Sequence, residues 1–181
     1  MKPLLGEALT LKSLAFFELA RYWGDIPYKK EASKSDLSNV YLPKSDKDTV
    51  YHYLVKDLEE AQSYLPYKGG NSEYGTVERV TKGFAKGLLA RVALFAGGWS
   101  LRDSKAFPNS TAEKHPTIPS NNGYYVGRPQ NWKEYYRIAA EQAAELIGSA
   151  DNPHRLDPDF ENIWSSVCGN RPNASNENLF E

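Results

Sequence analysis

LAFFELARYWGDIP, residues 14–27, is an apolar run that stops abruptly. Leu14, Ala15, Phe16, Phe17, Leu19, Ala20, Tyr22 and Trp23 leave only Glu18 and Arg21 as charged positions. A helix with one side in water needs a single apolar stripe. This one is apolar on nearly every side, so it reads as buried among other helices. Gly24 supplies the left-handed stop and Pro27 forbids continuation. A helix is predicted from about Leu5 to Trp23.

Three more helical segments follow. Ser45-Asp46-Lys47-Asp48 reads as a capping box with acids in the first turn, and Val50, Leu54, Leu58, Ala61 and Leu65 then recur on one face until Pro66. Between about Thr81 and Gly97, Phe84, Leu88, Val92 and Phe95 form a large-residue face. Gly83, Gly87, Ala90 and Ala93 lie beside it and would let another helix approach closely. Asn131 is a good N-cap with Glu134 three residues on; Trp132, Tyr136, Ala139, Ala143 and Ile147 make one stripe, and Gly148 ends it. Helix starts near 46 and 80 are about one tetratricopeptide (TPR) unit apart, without the full consensus. The fold class is all-α, with TPR-like helical pairs in one domain over residues 1–181.

The connections are unequal. Residues 98–130 carry Pro108, Pro116, Pro119, Gly123, Gly127 and Pro129 and read as one long irregular loop. A loop of that length is usually functional. The tail, about 149–181, shows no helical period.

Composition excludes several classes. Hydrophobic residues are 40% and charged residues 25%, as in an ordinary globular domain. A net charge of −1 argues against nucleic acid or an anionic membrane surface as partner. No apolar run is long enough for a transmembrane helix. Residues 1–13 read as helix, not signal peptide, with no lipobox-like cysteine. Cys168 is the single cysteine, which rules out an internal disulfide and a CxxC site. His52, His115 and His154 are far apart, with no metal-binding pair spacing, so neither a metal nor a cofactor is expected.

The segment FELARYWGDIP resembles the first block of the SusD/RagB family of outer-membrane nutrient-binding lipoproteins. YHYLVKDLEEAQSYLP (51–66), RVTKGFAKGLLARVALFAG (79–97), the helix 132–147 and LDPDFENIW (156–164) are similar to later blocks, and Asn176 to Phe180 to the start of a following strand. These blocks occur in the family's order. Phe84 departs from the usual Ala, and Gly87 from another small residue. The resemblance covers only the middle of the family's length, which implies a fragment. The many-sided apolar first helix and the unpartnered Leu179-Phe180 pair lead to the expectation that residues 1–181 expressed alone are unstable or self-associating. The resemblance also implies a binding protein and not an enzyme. Its role would be polysaccharide utilisation: capturing an oligosaccharide or other nutrient at the outer surface of a Bacteroidota-type cell. A SusC-like TonB-dependent outer-membrane transporter would be the partner, and a lipid anchor outside residues 1–181 the attachment. A free-standing TPR-like interaction module and a glycan-processing enzyme are the alternatives.

Most motif residues have structural roles to fill: Gly24 and Pro27 end a helix, Asp57 makes local bonds, and Arg79 reaches helix-end carbonyls. The adjacent acids Glu59-Glu60 and Asp157/Asp159 read as solvated faces, not as the facing carboxylates of a glycosidase. The long loop is different. Sugar rings present apolar C–H faces that stack on aromatic planes, while their hydroxyls need polar partners. Trp99, Tyr124 and Tyr125 are the candidate stacking residues and Arg128 a candidate polar contact. Arg102, Asp103, Asn121 and Asn122 could add to these, and Trp132 is expected in the core.

Overall fold

The computed structural model describes residues 1–70, 73, 75–171 and 175–180. Its helices are α1 (Lys2–Trp23), α2 (Lys47–Tyr64), α3 (Lys82–Gly97), α4 (Trp132–Gly148) and α5 (Phe160–Cys168). Its strands are β1 (Ser100–Asp103), β2 (Glu113–Lys114) and β3 (Tyr124–Arg128). Helices α1 to α4 pack as sequential neighbours, α1 on α2, α2 on α3 and α3 on α4. This is the stacked helical-pair arrangement expected of a TPR-like protein. Phe17, Val50, Leu54, Leu58, Leu89 and Val92 are fully buried at the centre.

The first helix is inside out relative to its sequence reading. Its buried face is Gly6, Thr10, Ser13, Phe17 and Ala20, at helical spacing and mostly small. Small residues let α2 come close: a Cβ on Gly6 would lie 2.9 Å from Leu65 Cγ and 3.0 Å from the Ala61 carbonyl oxygen. The Thr10 hydroxyl satisfies itself on the Gly6 carbonyl, 2.8 Å away. Leu4, Leu11, Leu19, Tyr22 and Trp23 face outward. Gly24 does end the helix, at φ 73°, with its N–H on the Ala20 carbonyl. Tyr22 of this row lines one hollow with exposed Leu94 and Phe95 of α3. Apolar surface of this extent favours association. The 181 residues expressed alone are expected to self-associate, which light scattering checks; a sharply melting monomer would contradict it.

Two other assignments shift. Asp46, one residue after Ser45, caps α2 by accepting from the Asp48 N–H. In α4 the covered stripe is Tyr135, Ile138, Ala139, Gln142, Ala143 and Leu146, one position round from the reading that placed Trp132, Tyr136 and Ile147 inside. Asn131 stands at its N-cap without a side-chain bond. The space beside Gly83 and Gly87 is filled largely by the tail: a Cβ there would meet His154 at 2.7 Å and Leu179 at 3.2 Å respectively.

Residues 98–130 are not an irregular loop throughout. They hold an antiparallel sheet in the order β1-β3-β2, pairing Arg102 with Tyr125 and Asp103 with Tyr124. The alternation was hidden because β1 turns Leu101 out and Arg102 in. The all-α expectation therefore stands for the helical body, with this small sheet inserted.

The tail also holds a helix, α5, capped by Asp159, whose side chain accepts from the Glu161 N–H. Residues 175–180 form no strand; Phe180 instead stacks on Phe84 at 4.7 Å, and Glu181 lies outside the described residues. A strand needs a neighbouring edge to pair with, and the three described strands pair only among themselves. His154 anchors the tail. Its Nδ1–H donates to the Asn176 carbonyl at 3.0 Å, and Nε2 is buried without a partner. Burial pushes its pKa below the ordinary 6.5. The unfolded chain therefore binds this proton more readily, so the stability is present above 6.5 and is lost as pH falls through it. The melting temperature is expected to drop between about pH 7.5 and 5.5, less steeply in His154→Gln. An unchanged slope in that variant would refute the assignment.

Candidate functional site

The turn after α1, the start of α2 and strand β1 are fastened together by charge. Arg102 is 5% exposed, and its guanidinium donates to both Asp48 oxygens at 2.7 and 2.9 Å. Burial pushes the Asp48 carboxyl up while Arg102 opposes it. The Asp25 carboxylate accepts the Lys47 N–H at 3.0 Å, and the Lys47 ammonium donates to the Leu101 carbonyl. Burial lowers the Lys47 pKa. Asp57 and Arg79 make long-range pairs, not the local ones expected: Asp57 meets Lys12 at 2.7 Å, and Arg79 meets Glu7.

This frame sets the exposed aromatics around two hollows. The larger, about 550 Å³, is lined by Tyr22, Tyr51, Leu94, Phe95, Trp99 and Leu101 among others. The smaller, about 240 Å³, lies between Trp23, Asp25, Lys44, Asp103 and Tyr124. Both are bordered by Gly24, Lys47 and Leu101. Small-ligand sites span about 300–1,000 Å³ with a few placed polar groups.

Trp99 is 37% exposed and its ring is held firmly. The His115 ring meets it edge-on at 4.7 Å, and the Arg128 guanidinium lies 4.3 Å from its centroid. Arg128 also lies 3.8 Å from the centroid of half-buried Trp132 and donates to Glu113 at 3.0 and 3.3 Å. The Arg128 hydrogen bonds hold the Glu113 carboxyl below its usual range. Arg128 is thus engaged between Trp99, Trp132 and Glu113. Tyr124 is 47% exposed at the head of β3 and borders the smaller hollow.

Tyr125 departs from its expected role. It is 5% exposed, with its hydroxyl on Ser110 Oγ at 3.2 Å and the Lys114 ammonium over its ring. Strand alternation turns it inward when Tyr124 faces out. Arg102 and Asp103 serve the frame and a turn, where Asp103 accepts the Lys105 and Ala106 N–H groups. Asn122 accepts from Lys105 at 3.1 Å, while Asn121 forms a backbone bridge to Tyr124. The sequence reading missed Tyr22 and Trp23, which it placed in the core. The signal that could have exposed them was the small-residue face Gly6, Thr10, Ser13 and Ala20 on the opposite side of α1.

A SusD-like family model, described as starch-binding and associating with the outer membrane, matches residues 1–94. A SusD-like protein of Bacteroides ovatus is 29% identical over 96 residues, covering 53% of this chain and 16% of that protein. SusD-like protein P38 of Formosa agariphila is 33% identical over 61 residues, 34% of this chain and 12% of that protein. The alignments thus cover less than a fifth of these curated relatives. Among solved structures, a SusD homolog from Bacteroides thetaiotaomicron has a TM-score of 0.64 at 24% identity, covering 92% of this chain and 26% of that one. Surface glycan-binding protein A from Bacteroides uniformis has a TM-score of 0.63 at 23% identity, covering 97% and 30%. The family match and the shared helical fold carry the same conclusion as the ordered sequence blocks: the chain belongs to the SusD-like family.

Proposed function

We propose that this chain is part of a nutrient-binding protein that captures a glycan at the outer-membrane surface and hands it to a SusC-like TonB-dependent transporter. The observation that carries the reading is the placement of exposed Trp99 and Tyr124 beside polar-edged hollows in a SusD-like chain. The rings would stack on sugar C–H faces, and neighbouring polar groups and backbone would meet the hydroxyls. Trp99 is supported in advance by Arg128 and His115, so little ordering would be needed on binding.

The smaller hollow shows no glycosidase general acid at Asp103. Asp25 and Asp103 both border the smaller hollow. Hydrogen bonds from the Ala106 and Lys105 N–H groups hold the Asp103 carboxyl below its usual range. A glycosidase general acid needs the opposite shift. The test is a glycan array with the full-length protein, together with affinity purification from the native outer membrane. Glycan binding and co-purification of a TonB-dependent transporter are expected. Finding no glycan binding and no co-purifying transporter would refute the proposal.

A further inference from the structure

We propose that the two hollows form one trough that takes a neutral, linear oligosaccharide, with Tyr22 and Trp99 at one end and Trp23 and Tyr124 at the other. This rests on the glycan-capture reading above and goes beyond it in naming the shape and charge of the ligand and two further contact residues. The hollows share Gly24, Lys47 and Leu101 as a common border. Gly24 keeps that border low. A Cβ there would sit 3.5 Å above the Lys47 ammonium, and φ 73° disfavours any side chain. Strand β1 runs the length of the trough, from Trp99 just before it to Asp103, which pairs with Tyr124. Four residues of strand span about 13 Å, more than one pyranose ring. Aromatic rings stand at both ends. A chain polymer fits this arrangement better than a single sugar.

The charge argument is independent. Among the described residues, the cations bordering the trough are engaged. Lys47 donates to the Leu101 carbonyl, Arg21 pairs with Glu18, Arg102 with Asp48, and Lys44 faces Asp103 at 3.7 Å. Among the described residues a uronate or sulfated glycan would meet the Asp25 and Asp103 carboxylates and only cations already paired with a carboxylate or carbonyl. A neutral glycan needs only hydrogen bonds and stacking faces.

Calorimetry on the full-length protein tests this with amylose-, cellulose-, mannan- and polygalacturonate-derived series from disaccharide to hexasaccharide. Affinity for a neutral series is expected to rise about tenfold or more from disaccharide to tetrasaccharide. Trp23→Ala should abolish that gain. Trp23 is 71% exposed among residues 1–181, and comparing the melting temperature of the variant with wild type separates a folding defect from a loss of binding. Leu101→Arg, which places a long charged side chain on the exposed border, should abolish the same gain without touching any aromatic ring. Tetrasaccharide binding unchanged in both variants, or preference for the polygalacturonate series, would overturn the trough and leave the glycan reading standing. No binding to any series would overturn the reading and the trough with it.

Discussion

Phe17→Ala is expected to cost about 3–5 kcal/mol of folding stability, a large share of the 5–15 kcal/mol typical of a domain. Phe17 is fully buried where three helices meet. Its ring packs edge-on against Phe95 at 5.1 Å and lies 6.4 Å from Tyr51. It is the one large side chain on a buried face otherwise made of Gly6, Thr10, Ser13 and Ala20, with Leu14 and Phe16 only partly buried beside it. Urea unfolding should show a lower midpoint with unchanged slope. Leu19→Ala, on the exposed side of the same helix, should cost below about 1 kcal/mol. Equal losses from the two substitutions would mean that α1 is packed the other way round.

Arg102→Met comes next, at about 2–3 kcal/mol. Breaking a fully buried pair costs about 3–5 kcal/mol. The Asp48 side chain keeps 27% exposure, which lowers the figure. Asp48, already destabilised by burial, would lose the group that offsets it. The strand would lose its tie to α2, so trypsin should cut faster at Lys105 and Lys114. Arg137→Met removes exposed pairs with Glu134 and Glu141 and should cost less than about 1 kcal/mol. Loss of stability without faster cleavage in residues 100–128 would show that Arg102 does not hold the sheet.

How much of this was legible in the sequence depended on whether side-chain size tracked burial. In α2 it did: Val50, Leu54, Leu58 and Ala61 are all buried, as their spacing predicted. In α1 it did not. Gly6 and Ala61 meet so closely that small residues had to face in, which sent Leu11, Leu19 and Trp23 outward. An apolar tally cannot distinguish that from a helix buried all round. The insertion failed for a related reason. Strand β1 buries a charged residue, Arg102, and exposes Leu101, so its period-two pattern is inverted. The partner that makes the inversion affordable, Asp48, lies 54 residues away. Helix α5 did leave a signal, Phe160, Ile163, Trp164 and Val167 after the cap Asp159, but its apolar residues are largely exposed and it is only nine residues long.

The candidate site divided the same way. Aromatic content and loop position picked out Trp99 and Tyr124, which border the hollows. They did not separate Tyr124 from Tyr125, because adjacent residues on a strand face opposite sides and the register is set by Arg102. Arg128 was chosen as a ligand contact. Its stacking between Trp99 and Trp132 and its bonds to Glu113 depend on pairing across the sheet, which spacing alone does not reveal.

Calorimetry of the full-length protein with the glycan it selects from an array, comparing wild type with Trp99→Ala and Tyr124→Ala, tests glycan capture most directly. Stacking of bases on aromatic rings is worth about 1–3 kcal/mol per ring, and each substitution is expected to weaken glycan binding by a comparable amount while melting stays within a few degrees of wild type. Wild-type affinity in both correctly folded variants would contradict the account, and these aromatics would then be scaffold alone.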